Sequence, residues 1–319
     1  MGQLVDGIWQ PDTLAVKTKG GRFIRADTQF RDLITADGSS GFKAESGRYH
    51  LYISLACPWA HRTLIFRRLK KLEDIVGLSI VDPFMADKGW AFSDGLGCIP
   101  DPLFSACNMY EIYVQARPKY SGRASVPVLW DRKRATIVNN ESSEIIRMMN
   151  SEFAALAPET PDYYPKSIRA EIDMVNERVY TDINNGVYRA GFASTQATYE
   201  EALNQLFDAL DWVEERLETR RYLCGAALTE ADWRLFTTLL RFDCVYVGHF
   251  KCNLRRISDY HFLSNYLREL YQIPGIADLC DFRHIKEHYY TSQVSINPTR
   301  IVPGGPQIDL LEPHDRNRL

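Results

Sequence analysis

The sequence predicts an α/β domain followed by an all-helical one. Near residue 50 a strand, a helix and a second strand follow one another at the spacing of a parallel βαβ unit, and a hairpin and a helix come after a long insertion. Beyond residue 165 the apolar residues recur at helical spacing. The chain's 319 residues suffice for about two domains with cores of their own. Lys and Arg number 38 against 41 Asp and Glu, a net charge of −3, which argues against nucleic acid or an anionic membrane as the main partner.

Residues 1–48 read as an N-terminal extension, rich in Gly, Asp and Thr through residue 47, without periodicity and expected to be irregular. Tyr49–Ser54 alternates, with Tyr49, Leu51 and Ile53 on one side, as a strand does. Leu55–Ala60 breaks it, and the segment through Leu69 reads as a helix with Pro58 in its first turn, where a missing N–H costs nothing. Leu78–Val81 is a short apolar strand. Residues 82–122 form a polar and aromatic insertion containing Trp90, Gly95, Gly97 and Pro100, and a connection of that length is more often functional than filler.

Ser125–Trp130 and Thr136–Val138 read as a hairpin around Asp131–Arg134, and several N-cap candidates in 139–144 precede a helix over Ile145–Phe153. The α/β domain therefore covers 49–157, and a Pro- and acid-rich linker around 158–165 ends it. Residues 165–290 are helical. Ile168, Ile172, Val175 and Val179 lie on one stripe; Leu203, Leu206, Phe207, Leu210, Val213 and Leu217 lie on another. Thr229 and Asp232 form a variant capping box opening a helix through about Phe242. Residues 291–319, with four prolines, form an extended tail.

The amino terminus carries no secretory signal, and no run approaches the roughly 18 apolar residues of a membrane span, so a cytoplasmic location is expected. The seven cysteines are scattered and never form C-x-x-C, which favours reduced thiols and speaks against structural zinc. Cys57 stands apart from the other six, between a strand and the first turn of a helix. Unpaired N–H groups and the positive dipole end there favour a thiolate, the nucleophilic form of the residue. Ala60 occupies the position where a thioredoxin-type pair would carry its second cysteine. A disulfide formed on Cys57 must then be resolved by a thiol from outside, and glutathione is the abundant cytosolic candidate.

Val126-Pro127 opens a strand, and a proline there marks either an edge or a cis peptide; beside Cys57, cis is the better reading. Glu141 and Ser142 fall at a helix start, which on spacing alone is a plain N-cap. Exposed N–H groups with the Ser142 hydroxyl would also take a carboxylate, and Glu141 an ammonium group. His284 and His288 lie four apart, but nothing suggests a third ligand, so a surface or packed pair is expected and no metal. His61 stands one turn from Cys57 with a thiolate-holding and a structural role both open.

The segment Ser54-Leu55-Ala56-Cys57-Pro58-Trp59-Ala60-His61-Arg62 resembles the active-site segment of the glutathionyl-hydroquinone reductases, the Xi class of glutathione transferases. Further matches are Tyr120-Ser121-Gly122-Arg123, Val126–Trp130, Asn140-Glu141-Ser142, Asn184–Tyr188, Arg241-Phe242-Asp243, His249–Cys252 and Ile296-Asn297-Pro298, so the resemblance runs the length of the chain. It implies a thioredoxin-like N-terminal domain, an all-helical glutathione-transferase C-terminal domain and a homodimer. It makes Cys57 the nucleophile. Trp90, Arg123, Val126, Glu141 and Ser142 match positions that hold glutathione, and Tyr188 and Tyr289 match tyrosines facing the hydroquinone.

The reaction this implies is cleavage of a glutathionyl-(chloro)hydroquinone thioether. Cys57 attacks the glutathione sulfur, the ring leaves from its keto tautomer as a phenolate or enolate, and the two tyrosines stabilise and protonate it. A second glutathione then frees Cys57 and leaves as oxidised glutathione. Glutathione is thus co-substrate. Two rivals remain: a broader cysteine-dependent thiol transferase or dehydroascorbate reductase, and a non-enzymatic ligand-binding protein on the same fold.

Overall fold

A computed structural model describes residues 2–11, 18–24 and 27–319 of the chain. Within the extension expected to be irregular, two short antiparallel hairpins form: β1 (Gln3–Val5) with β2 (Ile8–Gln10), and β3 (Thr18–Lys19) with β4 (Arg22–Phe23). Strands of two or three residues are too short to display an alternation, which is why the sequence conceals them. Leu4 is buried and exchanges both backbone hydrogen bonds with Gly122 at 2.9 Å, so β1 lies against the loop that carries Arg123. Gly122 has φ +148°, and a Cβ there would stand 2.8 Å from the Tyr120 hydroxyl oxygen; glycine alone lets the loop pass.

All five residues of β5 (Tyr49–Ile53) are buried because the strand is internal to the sheet. It pairs in parallel with β6 (Val76–Ile80) and antiparallel with β7 (Val128–Asp131), with Leu51 opposite Leu78 on one side and Leu129 on the other. β7 pairs antiparallel with β8 (Thr136–Asn139), giving the order β6-β5-β7-β8. The helix α1 (Pro58–Leu69) connects β5 to β6, as its proline start predicts.

The insertion contains a helix that weak periodicity hides, α2 (Met109–Ala116), capped by Asn108, whose N–H donates to Glu111 at 3.1 Å. α3 (Ser142–Ser151) begins one turn before the expected Ile145, because Glu141 is the N-cap and accepts from the Ser143 N–H at 3.1 Å. The sheet and these helices make a thioredoxin-like domain.

The helical domain follows with α4 (Arg169–Arg178), a π-helical turn over Val179–Asn184, α5 (Gly186–Gly191) and α6 (Gln196–Thr219). The stripe from Leu203 to Leu217 on α6 is buried as its spacing requires. α7 (Glu230–Arg241) is buried along its whole length and packs on α1, α4 and α8 (His261–Gln272); a π-helical turn over Phe242–Tyr246 extends it, and α9 (Phe282–Ser292) precedes the tail. The tail lacks regular structure until a last turn at Arg316–Arg318. Buried Arg316 ties it to α6 by donating to the Leu217 carbonyl at 2.7 Å. Among the described residues no helix is long and apolar enough to cross a membrane.

The Thr229 capping box forms as expected, and its Asp232 carboxylate serves more than the cap. Fully buried, it accepts from the Thr229 and Leu223 N–H groups at 2.8 Å each and from the Tyr266 hydroxyl at 2.7 Å. Replacing it strands those donors inside the core. Asp232→Ala is expected to lower unfolding free energy by about 3 kcal/mol, measured by urea denaturation; a loss within about 0.5 kcal/mol would contradict this account.

Candidate active site

The chain leaves β5 at Ile53 and turns through Ser54–Ala56, and Cys57 becomes the N-cap of α1 with extended backbone geometry. The turn is closed by the Cys57 N–H donating to the Ser54 carbonyl at 3.2 Å, and the helix opens with the His61 N–H donating to the Cys57 carbonyl at 2.9 Å. Pro58 supplies the first helical residue without an orphan N–H. The Cys57 sulfur is half-buried and lies 3.6 Å from the carbonyl oxygen of Val126. The Val126-Pro127 peptide is cis, in line with the reading preferred from the sequence.

A cavity of about 780 Å³, within the range of small-molecule sites, is lined by Val126 but not by Cys57, Tyr188 or Tyr289. Arg123, Val126, Glu141 and Ser142 all line it, together with Trp59, two residues from the nucleophile candidate. The α3 start provides both signs of charge complementarity that an amino-acid end requires. The Glu141 carboxylate caps the helix, and Ser142, its first residue, offers a hydroxyl that bonds to none of the described residues. On the helical side the wall is formed by Asn176, Tyr180 and Arg234, none of which the sequence marks.

Tyr188 on α5 and Tyr289 on α9 are 101 residues apart in sequence, yet their hydroxyl oxygens stand 2.6 Å from one another. A third phenol, Tyr246 in the π-helical turn after α7, bonds to Tyr289 at 3.1 Å. Nothing in spacing distinguishes Tyr246 among 17 tyrosines; its inclusion is a product of the tertiary fold. Burial drives the Tyr246 and Tyr289 phenols well above their usual range, so both are neutral hydrogen-bond donors.

Trp90 does not line the cavity. It is buried and stacks on His288 of α9 with ring centroids 4.5 Å apart, so the structure separates it from the other four residues matched to glutathione. His288 donates from Nδ1 to the Pro83 carbonyl at 3.0 Å, and His284 from Nε2 to that of Leu96 at 2.8 Å. This pair fastens the insertion to α9, as a packed pair would. Among the described residues no group of three or more His, Cys, Asp or Glu could hold a metal ion. His61 is fully buried with Nδ1 toward Arg241, the structural arrangement of the two left open.

The family model for the glutathione S-transferase N-terminal domain matches residues 56–152, and that for the C-terminal domain matches 196–269. Sheet, helical domain and groove together define a glutathione transferase, one with cysteine at the helix start. Glutathionyl-hydroquinone reductase YqjG of Escherichia coli is 52% identical over 324 residues, 99% of each chain, and its glutathione-bound structure matches at a TM-score of 0.92 over 99% of both. Glutathionyl-hydroquinone reductase PcpF of Sphingobium chlorophenolicum is 51% identical over 306 residues, 96% of each chain. A Xi class transferase from Natrialba magadii matches at a TM-score of 0.94 and 47% identity, over 100% of this chain and 97% of that one. The chain belongs to the Xi class of glutathione transferases, the glutathionyl-hydroquinone reductases.

Burial holds His288, beneath Trp90, and His50, in the sheet, down to about 4, from an ordinary value of 6.5. Between those values the unfolded chain binds protons that the folded one refuses, so stability falls as pH falls through that window. Each histidine contributes a slope approaching 1.4 kcal/mol per pH unit. Burial also holds His61 and His249 down, so urea midpoints are expected to decline from pH 6.5 to 5 and His288→Gln to reduce the decline by roughly a quarter; an unchanged slope in that variant would show that His288 is not among the groups responsible.

Proposed function

We propose that the chain reduces glutathionyl-(chloro)hydroquinones to hydroquinones with glutathione as the reductant. The reading is carried by half-buried Cys57 at a helix start, 3.6 Å from the carbonyl of Val126, which shares a groove with Arg123, Glu141 and Ser142, and by Ala60 where a resolving cysteine would stand. The names of the Escherichia coli and Sphingobium relatives point to the same substrate class.

The Cys57 thiolate attacks the glutathione sulfur of the keto tautomer; a sulfur–sulfur bond forms, the carbon–sulfur bond breaks, and its electron pair passes into the ring to leave a phenolate. Tyr188 and Tyr289 donate to that oxygen and supply its proton. A second glutathione thiolate attacks the mixed disulfide, releasing oxidised glutathione and Cys57. The thioether sulfur and one thiol sulfur have then lost one electron each to become the disulfide, and the aryl carbon has gained both. Glu141 takes the glutathione ammonium, Ser142 and the α3 N–H groups take the adjacent carboxylate, Arg123 a further carboxylate, and Val126 the peptide backbone. Trp90, stacked on His288 outside this cavity, is given no glutathione contact in this reading. In this reading residues 49–157 handle glutathione and 165–290 the ring, flanked by the extension 1–48 and the tail 291–319. The protein acts as a cytoplasmic homodimer.

Two measurements test this. With glutathionyl-hydroquinone and glutathione, the wild type should release hydroquinone and oxidised glutathione, and mass spectrometry should find one glutathionyl group on Cys57; Cys57→Ser should fall to background. Equal turnover by the two proteins would remove the mechanism, and disulfide reduction without thioether cleavage would favour a general thiol transferase. Tyr188→Phe and Tyr289→Phe should each lower kcat roughly ten- to a hundredfold while leaving KM for glutathione nearly unchanged, the pattern of an interaction made in the transition state.

A further inference from the structure

We propose that Arg241 is a positioning residue for this reaction: reaching from the helical domain, it grips the two carbonyl groups that precede Cys57 and holds the nucleophile's turn against the groove. The inference rests on Cys57 as nucleophile. Arg241 is the last residue of α7 and is fully buried. Its Nε donates to the Ala56 carbonyl at 2.8 Å and its Nη2 to the Leu55 carbonyl at 2.7 Å, so one planar fork spans two consecutive peptide groups. Its Nη1 donates to the Thr237 carbonyl at 2.7 Å and faces His61 Nδ1 at 3.3 Å. Arginine only donates, so His61 must present a bare Nδ1 and carry its proton on Nε2. Burial holds His61 well below its ordinary value, which agrees with a neutral ring.

All three guanidinium nitrogens are thus engaged. Three of the four acceptors lie in the thioredoxin-like domain, 180 to 186 residues away in sequence. The turn needs such a partner. β5 ends at Ile53, so the Leu55 and Ala56 carbonyls have no strand to pair with, and both residues are buried. Buried carbonyls without donors would pull the turn toward other partners, and a displacement of about 1 Å at a reacting atom costs on the order of a hundredfold in rate.

The same group carries a fixed charge. It acts on Cys244 and Tyr246 in the adjoining turn, Cys280 before α9, Tyr289 and His288 on α9, and His61 on α1. Burial holds the two thiols up at about 12 and the two imidazoles down, so these neighbours are uncharged near neutral pH. The Arg241 field partly counters burial at the Tyr246 and Tyr289 phenols and favours negative charge appearing beside them.

The test compares full-length Arg241→Gln and Arg241→Lys with the wild type in thermal stability, kcat, KM for glutathione, and the pH profile of Cys57 alkylation. Arg241→Gln should lower kcat roughly ten- to a hundredfold, keep KM within about twofold, and move the alkylation midpoint upward. Arg241→Lys keeps the charge without the fork; it should restore the midpoint and recover only part of kcat. A folded Arg241→Gln protein with wild-type kcat and alkylation profile would overturn the proposal. So would failure of both variants to fold, which would make Arg241 a residue of the core alone. Cys57→Ser assayed beside them separates the two ideas: full turnover there sinks the nucleophile, whatever the Arg241 variants do.

Discussion

The molecule is organised around the junction between β5 and α1. A strand buried at every residue cannot shift without disturbing two neighbours, and a helix begun by proline cannot lengthen backward. The sulfur of Cys57 is therefore held by the sheet on one side and by the helix on the other. The Val126 carbonyl, 3.6 Å from the sulfur, comes from the chain just before β7, which is hydrogen-bonded to β5. Cys57 and the Val126 carbonyl are thus anchored to the same pair of strands, and their separation is kept because the sheet keeps its register.

The helical domain meets this junction through directional bonds as well as apolar packing. Arg62 on α1 donates to the Asn184 side chain at 2.8 Å and to the Arg234 carbonyl at 3.1 Å, and Asn184 donates on to the Thr238 hydroxyl at 2.7 Å. The Arg62 guanidinium also lies 4.5 Å from the centre of the Trp59 ring. Apolar faces alone tolerate several docking angles; buried hydrogen bonds favour the one that satisfies them. The π-helical turns at Val179–Asn184 and Phe242–Tyr246 lie at this seam and its continuation, placing Asn184 and Tyr246 off the regular helical path.

What the sequence made legible follows physical range. Alternation in Tyr49–Ile53, proline at the α1 start, the buried stripe of α6 and the Thr229 cap are local signals, and each predicts its element closely. The hairpins β1–β4 escape because their strands are shorter than one period of evidence, and α2 escapes although Asn108 and Glu111 carry its capping signature. The groove residues Arg123, Val126, Glu141 and Ser142 cluster near one another in the chain and come together as expected. Tyr246 was hidden, and Arg241 showed only as part of a motif match, since their partners lie 43 and more than 180 residues away and no periodicity encodes such distances. Trp90 shows the converse: a motif match the fold turns toward α9.

The alanine at position 60 has a metabolic side. On the proposed reading, an enzyme with a neighbouring thiol could discharge its adduct alone and wait in an internal disulfide; this one would wait with the tripeptide still attached. Its idle form in a cell short of reducing power would be the glutathionylated protein, capped against further oxidation and revived as soon as the reduced pool recovers. Throughput would then track the reduced-to-oxidised balance of that pool directly, with no dedicated reductase in between.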